Sequence, residues 1–92
     1  MYRANLRTAK LNEATLIGSN LERANLIEAQ LNGANLTYSN LTQGNLRQAN
    51  LDQANLSYAN LTRASLLEAI VTNIKLTEAN LEGIIGFNQT NH

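Results

Sequence analysis

Residues 47–64 read RQANLDQANLSYANLTRA, and within them Ala-Asn-Leu returns three times at intervals of five. An α-helix repeats every 3.6 residues and a strand every two, so a strict period of five fits neither as a continuous element. A helix would turn about 500° per repeat and spread its leucines around the cylinder. A flat strand would throw alternate leucines onto opposite faces, because five is odd. The pattern suits a chain that bends once per repeat, with the small residue and the Leu inward and the other three outward.

Stepping by fives in both directions extends the pattern from Leu6 to Leu81, sixteen centres of which fifteen are Leu and one is Val71. With the centre called i, position i−2 is small everywhere except at Ile74, and position i−1 is Asn in ten of the sixteen units. The variable pair i+1 and i+2 carries most of the charges, glycines and tyrosines. Tandem repetition at so short a period points to a β-solenoid. Burying one Leu is worth about 1.5–3 kcal/mol, less than the cost of ordering five residues, so the units must be stabilised by stacking.

On these residues the chain resembles the pentapeptide-repeat family, whose pattern is A(D/N)LXX, over about residues 3–83. The resemblance implies an all-β fold, a right-handed quadrilateral β-helix with four repeats per square coil and i and i−2 inside. Sixteen repeats then make about four coils of twenty residues, spaced about 4.8 Å apart. The whole chain, residues 1–92, reads as a single domain, with residues 84–92 as its C-terminal end or cap. It is similar in this to short family members that are numerous in cyanobacteria.

Composition narrows the function classes. Seven basic and seven acidic residues balance to a net charge of zero, so no excess charge announces a nucleic acid or a membrane surface. There is no Cys, one His at the last position and one Asp, Asp52. No nucleophile–base set, ligand-spaced cluster or phosphate loop stands out, and the expectation is a non-enzyme without cofactor or metal. The start MYRANLRTAK enters the repeat at once without an apolar h-region, which leads to the expectation of a cytoplasmic chain.

A twenty-residue coil places positions twenty apart in one outward column. Asn20, Asn40, Asn60 and Asn80 form one such column, and Asn5, Asn25 and Asn45 another ended by Ser65. Their amides are expected to hydrogen-bond along the column, as in stacked β structures. Asn35, Asn40, Asn55, Asn60 and Asn88 also stand in N-x-S/T triplets. Four of these follow from the repeat itself and carry little weight as glycosylation sites. Gly18, Gly33 and Gly83 fall at i+2, beside the corners, where positive φ is useful. Gly44 replaces the inward Ala and is expected to leave a small gap.

Two surface features are candidate sites. The wall centred on Leu6, Leu26, Leu46 and Leu66 is bordered by Arg3, Arg23 and Arg63 in one column and by Arg7, Ile27, Arg47 and Leu67 in the next. Solvated charge pairing with Glu22, Glu28, Glu68 and Glu82 accounts for part of it. Aliphatic residues set among arginines also resemble an interface core with its rim, so Arg7, Arg23, Ile27, Arg47, Arg63 and Leu67 form the candidate protein-interaction face. Tyr38 and Tyr58 share an i+2 column in adjacent coils and are expected to stack, either shielding the backbone or serving as a secondary docking patch.

The pattern changes near residues 70–75, where Ile70, Val71 and Ile74 predict a bulge or widened coil and a small exposed patch of Ile70 with Leu67. The tail GIIGFNQTNH leaves the pattern after Leu81, and Phe87 is expected to cover the lower end of the core. Solenoid ends expose strand edges, which predicts closure of one end, the N-terminal one first, by end-to-end homo-oligomerisation or by another solenoid segment.

The functional expectation is an interaction or scaffold module with a protein partner. The resemblance also implies an alternative, since some family members mimic duplex DNA and protect a type II topoisomerase, DNA gyrase. Such mimics carry a strongly acidic face, which this composition lacks. Ice binding would need a regular Thr ladder, and the column Ile17, Thr37, Ser57, Thr77 is irregular.

Overall fold

Five backbone N–H groups must find partners in each repeat, and their partners define the architecture. In the computed structural model, which describes residues 2–87, the N–H of the central Leu donates to a carbonyl one coil further on, as in Leu46 to Ser65 O at 2.8 Å. The N–H at i+2 also points to the following coil, as in Gln48 to Leu67 O at 2.9 Å. The N–H at i−1 points back to the preceding coil, as in Asn45 to Ala24 O at 3.0 Å. The N–H at i−2 closes a tight turn on the preceding Leu, as in Ala49 to Leu46 O at 3.0 Å. Three of the five therefore tie coils together and one makes a corner.

Every bridge between coils is parallel and joins i−1 positions twenty residues apart, from Asn5↔Asn25 to Ser65↔Ile85. The four coils hold residues 4–23, 24–43, 44–63 and 64–83. Each has four single-residue bridge segments as sides, and no helix occurs among the described residues. Leucines from Leu21 to Leu66 are completely buried along the axis, with the Ala residues between them. Leu6, Leu11 and Leu16 at one end, and Val71, Leu76 and Leu81 at the other, are half-buried because a coil is present on only one side.

The corners reveal what the sequence did not. All seventeen i+2 residues from Arg3 to Gly83 lie in the left-handed region, fourteen of them non-glycine, with φ between 56° and 71°. A positive φ at the third turn residue and a bond from the fourth N–H to the first carbonyl define a type II turn. Thr8 is the only β-branched residue among them, in keeping with the high cost of positive φ for β-branched side chains.

Three local expectations change. At residues 70–75 the register holds, since Ile70 pairs with Asn50 and Lys75 with Asn55, so there is no bulge. The larger side chains instead stretch one corner: Ile74 N–H reaches Val71 O at 3.4 Å, against 2.9–3.1 Å at most other corners. At Gly44 the corner bond tightens to 2.8 Å, and a Cβ built there would meet Leu41 O at 3.0 Å. The expected gap is thus partly closed by the backbone.

The register also runs past Leu81. Ile85 donates to Ala64 O at 2.9 Å and accepts from Leu66 N–H at 2.7 Å, so a seventeenth unit begins a fifth coil with Ile85 outward. Gly86 then passes so close to Leu67 that a Cβ would lie 2.6 Å from its Cα, and Phe87 packs half-buried against the core. The remainder of the tail, residues 88–92, lies outside the described residues, as do the Asn88 triplet and His92.

Candidate functional site

The fifth N–H of the repeat, at i+1, has no backbone partner, and the Asn at i−1 supplies one. All ten such asparagines accept it on Oδ1, from Asn5 with Arg7 N–H at 3.2 Å to Asn80 with Glu82 N–H at 3.0 Å. This corrects the expected amide ladder: among the described residues no Asn column is joined amide to amide. The local donor is two residues away and otherwise unpaired, so it captures the oxygen. Thr42 and Thr62 add their hydroxyls to the Asn40 and Asn60 oxygens at 2.6 Å. The side chains on each flat wall thus project from a backbone whose turns are braced in the ten units that carry Asn.

On the wall centred on Leu6, Leu26, Leu46 and Leu66, Arg23 Nε donates to Gln43 Oε1 at 2.8 Å down its own column. Arg7 Nη2 lies 3.6 Å from Glu28 Oε1 in the next coil, with both side chains largely exposed, so the pair adds little stability. Gln48 Nε2 donates to Glu68 Oε1 at 3.1 Å along the neighbouring corner column. Arg47 and Arg63 stand exposed on the same wall.

Leu67 is 41% exposed, as expected, while Ile27 is only half-buried in place of fully exposed. Ile27 belongs to an interior coil and has the long side chains of Arg7 and Arg47 in its column on either side, whose aliphatic stems can cover it. The structure adds Ile85, 53% exposed, which stands below Ser65 at the foot of this wall. One further step of five beyond Leu81 would have placed it there. Ile70 is exposed as well, on the adjoining wall. Leu67 N–H faces Ser65 Oγ at a long 3.5 Å where other units have Asn, so the foot of the wall is both more apolar and less tightly braced.

At the corner diagonal to Gln48–Glu68, and one side of the coil from the Arg23–Arg63 column, the Tyr38 and Tyr58 rings stack at 4.9 Å between centroids with planes 6° apart. The separation matches the distance between coils, and both rings are exposed. The tyrosine pair therefore stands at a different corner, separated from the Arg23–Arg63 edge of the wall by the side centred on Leu41 and Leu61. Among the described residues no three of His, Cys, Asp and Glu come together where they could hold a metal ion, and no helix is long and apolar enough to cross a membrane.

A square coil of five-residue units, with Leu and a small residue inside and Asn bracing most of the turns, is the architecture of pentapeptide repeats. The family model for pentapeptide repeats (8 copies) matches residues 1–43 and 45–83, and the chain belongs to this family. Its fold is similar to that of the pentapeptide repeat protein Rfr23 from the cyanobacterium Cyanothece 51142, with a TM-score of 0.91 and 42% identity over 92% of this chain. The match covers 58% of the Rfr23 chain, so this chain spans little more than half its length. It is also similar to alr5209, a pentapeptide repeat protein from Nostoc Pcc 7120, with a TM-score of 0.83 and 36% identity over 94% of this chain and 74% of the other. A pentapeptide repeat protein of the Arabidopsis thaliana thylakoid lumen aligns at 32% identity and a TM-score of 0.51 over 96% of this chain and 57% of its own. Comparison with curated protein sequences gave no match. The square β-helix is right-handed, as in the solved members.

Proposed function

We propose that this chain is a non-enzymatic scaffold that binds a protein partner through the wall bearing Arg23, Arg47, Arg63 and Leu67. The observation that carries the reading is the exposed aliphatic pair Leu67 and Ile85 at the foot of a wall whose other outward positions are arginine-rich. An apolar patch excludes water when a partner docks, and the guanidinium groups of the coils above it on the same wall can form hydrogen bonds at its rim. The rigid coil holds these side chains in fixed columns, which lowers the ordering cost of binding.

Mimicry of duplex DNA is less well supported by the charge distribution. Glu22, Glu28, Glu68 and Glu82 interleave with arginines, and Glu13, Asp52 and Glu78 are scattered over the other two turns of the coil, so the acidic residues form no continuous anionic face.

The test is cross-linked capture from host lysate with the native chain and with an Arg47→Glu/Leu67→Glu variant of unchanged thermal stability. A discrete protein held by the native chain and lost by the variant supports the wall. Equal capture by both would overturn it.

A further inference from the structure

We propose that the face of the Tyr38 ring turned toward Gly18 is a docking shelf for one aromatic side chain of a protein partner. The Tyr38–Tyr58 contact is an aromatic stack already formed, and the shelf is its next position. Tyr58 covers one face of the Tyr38 ring at 4.9 Å in a nearly parallel arrangement. The residue that would cover the other face is Gly18, which precedes Tyr38 by one coil and has no side chain.

Side chains in the corner columns lean toward the following coil. Glu13 Cγ lies 3.2 Å from where a Gly33 Cβ would be, and Arg63 Cγ lies 3.2 Å from where a Gly83 Cβ would be. By the same lean, a side chain on residue 18 would lie over Tyr38. Gly18 has no side chain to do so, and a Cβ built on it would meet nothing within 4 Å, so the space is open to a small side chain. Tyr38 is accordingly more exposed than Tyr58, 64% against 50%. Ile17, next to Gly18, is exposed and adds an aliphatic edge.

A flat uncharged ring matches this site best, because parallel stacking at about the coil spacing is the contact the column already makes. The partner's ring would extend the pair to a triple stack and remove the apolar face of Tyr38 from water. The inference rests on the reading of the chain as a protein-binding module, but it uses a different corner, half a coil from the Gln48–Glu68 column and one side of the coil from the Arg23–Arg63 column.

The test is an amide and aromatic NMR titration of the full chain with N-acetyl-tryptophanamide, with N-acetyl-leucinamide as the non-aromatic control. The expected result is saturable shifts confined to Ile17, Gly18, Tyr38 and Tyr58, with no comparable response to the leucine probe. Tyr38→Leu should weaken binding about three- to tenfold, the loss of one aromatic stacking contact. Gly18→Asn, which tolerates positive φ and fills the shelf, should do the same. Equal binding of the leucine probe, scattered shifts, or binding unchanged in both variants would overturn the proposal. A retained shelf in the Arg47→Glu/Leu67→Glu variant, together with failed capture differences on the wall, would remove the wall reading alone.

Discussion

The side-chain oxygen of Asn55 accepts the backbone N–H of Ser57 at 3.0 Å, and the same contact recurs wherever Asn precedes the central Leu. Four of the five N–H groups in a repeat are satisfied by backbone carbonyls, so this contact completes the set. Asn55→Ala should lower the unfolding free energy by about 0.5–1.5 kcal/mol, the net value of one hydrogen bond. Asn55→Asp keeps an acceptor in place and should retain most of the stability. Denaturant titration of the two variants checks the difference; equal losses would mean that the oxygen does not brace the turn.

Ser39 is completely buried at an inward position that is Ala in most repeats, and its hydroxyl has no hydrogen-bond partner. An unpaired buried hydroxyl costs about 1–3 kcal/mol. Ser39→Ala should therefore raise stability by about 1 kcal/mol, read as a higher midpoint in urea at an unchanged slope.

Gly44 occupies the equivalent inward position without positive φ. A Cβ there needs the Leu41 carbonyl to retreat from 3.0 Å by a few tenths of an ångström. The corners with Ala have slightly longer bonds, 2.9–3.0 Å against 2.8 Å, so a relaxed geometry exists. Gly44→Ala is expected to stabilise by about 0.4–1 kcal/mol through the unfolded chain, measured by the same titration.

Gly86 differs in kind, because its missing Cβ would fall 2.6 Å from the Leu67 Cα and φ is 76°. The clash is with backbone, not with the end of a flexible side chain, so Gly86→Ala should displace the start of the fifth coil at a cost of about 1–3 kcal/mol. The expected signature is faster exchange of the Ile85 amide, now bonded to Ala64 O at 2.9 Å, while amides of the second and third coils keep their protection. Unchanged exchange at Ile85 would show that the close approach is not required.

The leucine register, the twenty-residue coil and the Tyr38–Tyr58 stack were legible in the sequence because each follows from position alone. The partner of Asn55 was not, since a period shows where the amide recurs but not which donor lies nearest. The positive φ of residues such as Gln53 and Arg63 was hidden for a similar reason: only the glycines among the corner residues advertise that conformation. Ile85 was overlooked when the Leu pattern ended, although its N–H and carbonyl continue the backbone ladder for another half unit. On the wall, Leu67 was correctly placed outside, whereas burial of Ile27 depends on neighbouring long side chains, which a column map does not measure.

Native-state hydrogen exchange resolved by residue tests the account of the coil most directly. Amides at i, i+2, i−1 and i−2 of the second and third coils should share one high protection level, the mark of a single cooperative stack. At i+1, Arg47 and Ser57, braced by Asn45 and Asn55, should be clearly protected, and Asn32 and Thr72, which follow Gln30 and Ile70, should exchange much faster. Equal exchange at all four i+1 amides would contradict the account that Asn completes the hydrogen bonding of the repeats that carry it.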